Sequence, residues 1–217
     1  MGDFGIGAAV RRKEDFRFLT GQGTYTDDIN RPGQLHAFLL RSPHAHAELG
    51  AIDTAAAKTA AGVVAVFTGS DVQVGGLPCG LLVTSKDGKP MVEPPHLLLA
   101  QGKVRHAGDP VAVVVAETRE QAKDAAELIE VSYKTLPAVV TSEAAIKPGS
   151  PLLFDTAPGN LCFDWHLGDK AAVDAAFARA HHITRLNLVN NRLVPSSGSR
   201  ASSVARSNGP PSATRSF

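Results

Sequence analysis

Short apolar runs separated by turn-forming residues dominate the first half of the chain. Alternating apolar positions at residues 35, 37 and 39 predict a strand with those residues on one face. Proline cannot continue a central ladder, so Ser42-Pro43-His44 predicts a turn. The elements predicted here are a strand at 35–41, a returning strand at 45–53, an alanine-rich helix at 54–61 ended by Gly62, a buried strand at 63–68, and a glycine- and proline-spaced excursion at 69–95.

The most clearly marked unit lies between residues 104 and 136. Val111–Ala116 is a run of valine and alanine typical of a strand buried on both faces. Thr118 stands where a helix N-cap belongs, and Gln121 completes a capping box for a helix that reaches about residue 129. Glu130–Lys134 alternates as a strand. The pattern predicts a right-handed β-α-β crossover between parallel strands.

The pattern of the second half is less regular and ends abruptly. Four prolines, counted from Pro137 (Pro137, Pro148, Pro151 and Pro158), predict a linker over 138–160, with one short helical stretch at 142–147. The elements predicted after it are a strand at 162–167, a helix at 169–180 with an apolar stripe, and a long alternating strand at 182–194. Residues 196–217 hold eight serines, three arginines and no acidic residue, so we expect this tail to be disordered.

Composition excludes several classes of function. With 22 basic and 21 acidic residues the net charge is +1, and aromatic residues make up 6%, so we expect no nucleic-acid partner and no attraction to a membrane surface. No apolar stretch approaches the roughly 18 residues of a membrane span. The N-terminal residues do not have the pattern of a secretory signal, so a cytoplasmic location is expected. Cys79 and Cys162 form no CxxC pair and are expected to be small, half-buried thiols.

The candidate ligands and acid–base groups are scattered rather than clustered. His44 and His46 form an HxH pair, which on a strand would point to one face and could share a metal. No third or fourth ligand accompanies them, so a turn whose histidines contact neighbouring elements is the favoured interpretation. His106 and the pair at residues 181–182 have no partner motif. We therefore assign no catalytic, cofactor-binding or metal-binding residue.

The opening segment, residues 10–28, carries charge and glycine without a helical period. Gly21 and Gly23 form a GxG, but no helix or third glycine follows, so a nucleotide loop is disfavoured. Asp27-Asp28 is typical of a turn. The arginines of this segment (Arg11, Arg12 and Arg17) could bind phosphate, although solvated ion pairs with Glu14 and Asp15 are the better interpretation. We expect an ordered arm without regular structure.

A series of short motifs, each weak alone, runs in chain order from about residue 6 to residue 195. The motifs are Arg11-Arg12-Lys13-Glu14-Asp15, Arg17-Phe18-Leu19-Thr20-Gly21, Gly23-Thr24-Tyr25, Arg41-Ser42-Pro43-His44-Ala45-His46-Ala47, Gly62-Val63-Val64-Ala65-Val66, Gly108-Asp109-Pro110-Val111-Ala112, Val131-Ser132-Tyr133, Pro158-Gly159-Asn160 and Asn191-Arg192-Leu193-Val194-Pro195. Together they resemble the front end of the large, molybdenum-carrying subunits of the xanthine dehydrogenase, aldehyde oxidase and aerobic carbon monoxide dehydrogenase family.

This resemblance implies an α/β (α+β) fold. The implied organisation is an N-terminal arm at 1–19, an α/β hammerhead domain at 20–137, a linker at 138–160, the first strand-helix-strand of a molybdopterin-binding domain at 161–195, and a tail at 196–217. The family's cofactor is molybdenum-molybdopterin, and iron-sulfur and flavin groups reside on partner subunits. The family's active-site segments have no counterpart here, so the resemblance implies no cofactor site and no activity for this chain alone.

The C-terminal tail departs from the family pattern after Pro195, where Glu-Pro-Arg is usual. If Gly198, Ser199 and Arg200 are encoded GGG, AGC and CGC, a reading frame shifted by one base gives Glu-Pro-Arg. We therefore expect a frameshifted tail. Two alternatives remain open: a free-standing hammerhead module for binding or assembly, and a small metal-binding protein using His44 and His46.

Overall fold

The computed structural model describes residues 12–24, 28–72, 75–80 and 82–188. Its contacts divide the chain into one unit of residues 33–184 and another of residues 1–32 with 185–217. The elements are α1 (Asp15–Leu19), β1 (His36–Arg41), β2 (Ala47–Asp53), α2 (Ala55–Thr59), β3 (Val63–Thr68), β4 (Lys103–Val104), β5 (Pro110–Ala116), α3 (Arg119–Glu127), β6 (Glu130–Thr135), α4 (Ser142–Ala145), a 3-10 turn (Pro158–Asn160) and α5 (Lys170–Ala178).

The first sheet has the order β1-β5-β3, and both of its strand pairs are antiparallel. The central strand β5 pairs Val114 with Phe38 on one side and with Val66 on the other. Alternate residues Ala112, Val114 and Ala116 are fully buried, whereas Val113 and Val115 are half-buried. The predicted strand is confirmed, but the expectation that it is buried on both faces is wrong, because only the face with Ala112, Val114 and Ala116 carries the main core.

Helix α3 covers the buried face of this sheet. The predicted capping box is present: the Gln121 backbone N–H donates to Thr118 Oγ1 at 3.2 Å, and the Thr118 N–H donates to Gln121 Oε1 at 3.0 Å. Three small residues of one face, Ala122, Ala125 and Ala126, are at most 1% exposed and belong to the same cluster as Val114. Their short side chains let the helix approach the sheet closely.

The second sheet has the order β4-β2-β6 and is also antiparallel. The predicted crossover between parallel strands is therefore wrong, because β5 and β6 lie in different sheets. The two neighbours of β5 are already β1 and β3, so β6 cannot pair with β5, and it pairs with β2 instead. Ile52 and Val131 pack against the apolar clusters of both sheets and connect them into one core.

The first two strands do not form the hairpin that a returning strand implies. β1 pairs with β5, and β2 pairs with β4 and β6. Residues 37 and 39 lie on one face of β1, as predicted. This face is the exposed one, since Leu39 is 38% exposed. The opposite face, with Phe38 and Leu40, packs on the core.

Residues 138–160 lie in the same compact unit as the two sheets. Asn160 ties this predicted linker together: its amide accepts a hydrogen bond from Leu153 N and donates to the carbonyl oxygens of Ala145 and Pro151, each at 2.9 Å. Asn160 has a φ of 55°, a left-handed conformation that asparagine tolerates better than most residues. The segment is thus ordered.

The strands predicted beyond residue 160 do not form in the described chain. Residues 162–167 make only isolated hydrogen bonds to the excursion, such as Val92 N–H to Cys162 O and Lys86 N–H to Asp164 O, both 2.8 Å, which is too few for a ladder. Residues 182–188 are also irregular, and the rest of the strand predicted at 182–194 lies outside the described residues. The predicted helix is confirmed as α5, whose N-cap Asp169 accepts a hydrogen bond from Ala172 N at 3.0 Å.

In the unit of residues 1–32 and 185–217, the expectation of an arm without regular structure is wrong at α1. The Arg12 N–H donates to Asp15 Oδ2 at 3.3 Å and so ties the start of this single-turn helix. Gly21, with a φ of 71°, follows its end. A side chain at Gly23 would collide with the Phe18 ring, so this glycine serves packing within the arm.

Candidate functional site

The motif that contains His44 and His46 forms the corner between β1 and β2. Ser42 is 3% exposed, and its N–H donates to Asp109 O at 2.9 Å while its carbonyl accepts from Gly108 N at 2.8 Å. The Arg41 guanidinium donates to Gly108 O at 2.8 Å. The corner is therefore bound to the turn that precedes β5.

The two histidines of this corner contact different elements. The His44 ring packs edge-on against Tyr133 of β6, with 4.8 Å between ring centroids. Burial raises the pKa of the Tyr133 phenol, a hydrogen bond with Ser42 opposes that shift, and the charge of Asp109 adds to it. This environment keeps the phenol neutral well above neutral pH.

His46 is 4% exposed, and its Nδ1 lies 2.8 Å from Pro137 O. Because a carbonyl only accepts, Nδ1 carries the proton and donates. Its Nε2 is buried without a hydrogen-bond partner among the described residues. The interpretation of the motif as a turn whose histidines contact neighbouring elements is confirmed, since His44 and His46 face Tyr133 and Pro137. Across the described ranges, no three His, Cys, Asp or Glu residues are grouped so that they could hold a metal.

A cavity of about 410 Å³ lies beside this corner, in the unit of residues 33–184. Its lining includes Arg105 and His106 after β4, Asp109 before β5, His96 just after the excursion and Phe154 of the 138–160 segment. Residues 94–109 and residues 153–154 thus form one concave surface.

Both cysteines line a different cavity of about 440 Å³, together with Met91 and His96. Cys162 is half-buried as expected, whereas Cys79 is exposed, so the expectation of a half-buried thiol is wrong for Cys79. At this cavity, Leu77 of the excursion forms an isolated β-bridge with His96, and both residues belong to the lining.

Several other groups considered from the sequence make local contacts, whereas Arg11 and Asp27 lie outside the described residues. Arg12 pairs with Asp15 at 3.7 Å, which confirms that ion pair, and Arg17 lies over the Phe18 ring at 5.0 Å. His182 Nε2 is 3.1 Å from Thr184 Oγ1. The site formed by Arg105 and Phe154 was missed, because no sequence signal brings two residues 49 positions apart together.

The fold and these surfaces can be compared with known proteins. The family model described as "Aldehyde oxidase and xanthine dehydrogenase, a/b hammerhead domain" matches residues 20–137. The chain belongs to this family. Its match covers the two sheets and the corner at His44, so those features are part of a hammerhead domain.

Relatives place this domain within larger proteins. The chain is 37% identical over 204 residues to the carbon monoxide dehydrogenase large chain of Afipia carboxidovorans, covering 88% of this chain and 24% of that protein. It is 39% identical over 180 residues to the nicotine 6-hydroxylase large subunit of Paenarthrobacter nicotinovorans, covering 82% and 21%. The structure also resembles a crystal structure of a Cu,Mo-CO dehydrogenase, with a TM-score of 0.62 and 38% identity over 82% of this chain and 23% of that one. The chain thus spans about a quarter of the length of its relatives.

The N-termini of the two nine-residue helices, α3 and α5, do not fit the phosphate of a molybdenum-pterin cofactor. Helix N-termini often bind phosphate, but in α3 and α5 the side chains of Thr118 and Asp169 already accept hydrogen bonds there. The Asp169 carboxylate would in addition repel an anion. Among the helices of the described chain, none is long and apolar enough to cross a membrane.

Proposed function

We propose that this chain supplies the hammerhead domain and an adjoining segment of a molybdenum hydroxylase large subunit, and that it is inactive alone. The parent reaction would be hydroxylation of a heterocycle or aldehyde with water-derived oxygen, or oxidation of carbon monoxide. The observation that carries the proposal is the ordered match of 204 residues to a relative of which they cover only 24%. The molybdenum-molybdopterin cofactor would then be bound by other parts of the protein.

The role of this chain in such an enzyme is architectural. Its two sheets share one core and hold the corner at Ser42 rigidly against the turn before β5. A rigid domain of this kind can support an active site formed elsewhere and present surfaces to neighbouring subunits. Partner subunits carrying iron-sulfur and flavin groups would accept the electrons.

Exposed apolar side chains after residue 160 support this proposal over a free-standing module. Trp165 is 58% exposed, Leu167 80%, Val173 50% and Phe177 54%, and no residue of α5 is buried. Soluble monomers rarely expose neighbouring large apolar residues in this number, and such surfaces mark contact sites. A free-standing module would leave these residues in water, whereas a larger subunit would cover them.

Metal analysis tests the proposal. The chain is produced in a host that makes the molybdenum cofactor, with the full-length Afipia carboxidovorans relative as a matched control, and molybdenum is measured by mass spectrometry. We expect stoichiometric molybdenum in the control and background levels in this chain. One molybdenum per chain would refute the proposal that the cofactor is bound by other parts of the protein.

A further inference from the structure

We propose that the cavity lined by Arg105 is a binding pocket for one oxyanion group, a carboxylate or a phosphate. The first observation is the immobilised guanidinium of Arg105. Its Nε–H donates to Leu153 O at 2.8 Å, its Nη1–H donates to Lys103 O at 3.3 Å, and its Cζ lies 4.3 Å from the centre of the Phe154 ring. These contacts come from two parts of the chain, residue 103 and residues 153–154, and fix the plane of the group.

The second observation is the missing counter-charge. Within the described parts of the chain, no carboxylate lies within ion-pair distance of the Arg105 guanidinium, whose hydrogen-bonded partners are neutral carbonyl oxygens. A guanidinium has five N–H donors, and two hydrogen bonds leave three of them for a ligand. A planar fork of donors matches the geometry of carboxylate and phosphate oxygens. The pocket therefore offers a preorganised cation with spare donors.

The other charged groups of the pocket are compatible with this role. Asp109 is the acidic residue of the lining, and its Oδ2 already accepts the Arg105 backbone N–H at 2.9 Å and lies 3.8 Å from His106 Nδ1. His96 and His106 also line the cavity and can donate hydrogen bonds to an anion. Leu97, Leu153 and the prolines of the lining supply apolar walls, which strengthen charge interactions by excluding water.

Nuclear magnetic resonance of the 217-residue chain tests this pocket directly. Sodium phosphate and sodium acetate are titrated separately at constant ionic strength, balanced with sodium chloride, while the Arg105 Nε–H signal and the backbone amide signals of His106 and Phe154 are followed; the backbone signals also serve for variants of Arg105. We expect a saturable shift with a dissociation constant on the order of 1 mM for at least one anion. Saturation by acetate alone assigns a carboxylate ligand, and saturation by phosphate alone assigns a phosphate. A linear, non-saturating response to both would overturn the proposal.

Variants show whether the guanidinium is responsible. Arg105→Lys keeps the charge but loses the fork, so affinity should fall at least tenfold, while Arg179→Gln, an exposed control at the end of α5, should bind as the parent does. Equal affinity in a folded Arg105→Lys chain would contradict the proposal. If Arg105→Lys does not fold, His106→Gln leaves every Arg105 contact intact and is measured instead. Affinity in that variant should fall, because His106 lines the pocket and donates to the anion, and unchanged affinity would contradict the proposal.

Discussion

Two identical substitutions, Val114→Ala in β5 and Val173→Ala in α5, should have very different effects on stability. Val114 is fully buried at the centre of the main core, and Val173 is 50% exposed. Removing two carbons from a buried site costs about 1.6 kcal/mol of transfer free energy at about 0.8 kcal/mol per carbon. The cavity that remains brings the total to about 2–3 kcal/mol.

In the control substitution, Val173→Ala, neither the transfer free energy nor the cavity contributes much. At Val173 little burial is lost, and alanine favours a helix over valine by roughly 0.5 kcal/mol, so the net change should stay within about 0.5 kcal/mol. Guanidinium chloride unfolding with far-UV circular dichroism measures both variants. Circular dichroism is the suitable probe because the single tryptophan, Trp165, is 58% exposed.

The expected midpoint shift follows from the denaturant dependence. With an m-value of about 4 kcal/mol/M, Val114→Ala should lower the unfolding midpoint by about 0.6 M and Val173→Ala by about 0.1 M or less. Equal shifts would refute the assignment of the core to the two sheets and α3. So would a negligible effect at Val114.

Two further substitutions test local features. Thr118→Ala removes the N-cap of α3 and should cost about 1 kcal/mol in free energy of unfolding, measured by the same titration, with Thr59→Ala at the end of α2 as a nearly neutral control. Asp71 accepts hydrogen bonds from the Thr68 N–H and hydroxyl, which lower its pKa below the ordinary value of 3.8. A lowered folded-state pKa stabilises the fold above pH 4, and that stabilisation is lost as the pH falls through the folded pKa. The melting temperature of Asp71→Asn should therefore lie below that of the parent at pH 6, with a smaller gap at pH 3, and a gap independent of pH would contradict this assignment.

Local signals in the sequence predicted the individual elements of residues 33–137 well. The capping box at Thr118 and Gln121 and the apolar run of β5 each depend on neighbours within a few residues, and both are confirmed. The sheet to which a strand belongs depends on contacts between residues far apart in sequence, which a local pattern does not specify. For that reason the pairings of β2 and β6 were predicted wrongly.

Surfaces that join distant segments could not be predicted from local patterns. Arg105, Phe154 and His96 meet through the fold of the excursion and of residues 138–160, neither of which has a regular period. The family resemblance, by contrast, depends on many short motifs in order and is confirmed by the match over residues 20–137. Residues 196–217 lie outside the described chain, so the expectation of a frameshifted, disordered tail stays a prediction.

Hydrogen exchange followed by mass spectrometry tests the central claim most directly: that the hammerhead domain folds by itself, while the segment after it needs the rest of a larger subunit. Helix α5 has nine residues and none is buried, and isolated helices shorter than about 12–15 residues are marginal in water. We predict slow exchange across Val111–Tyr133, where β5, α3 and β6 share a core, and fast exchange across residues 161–188. Equal protection in the two regions would contradict the account and would favour a free-standing module.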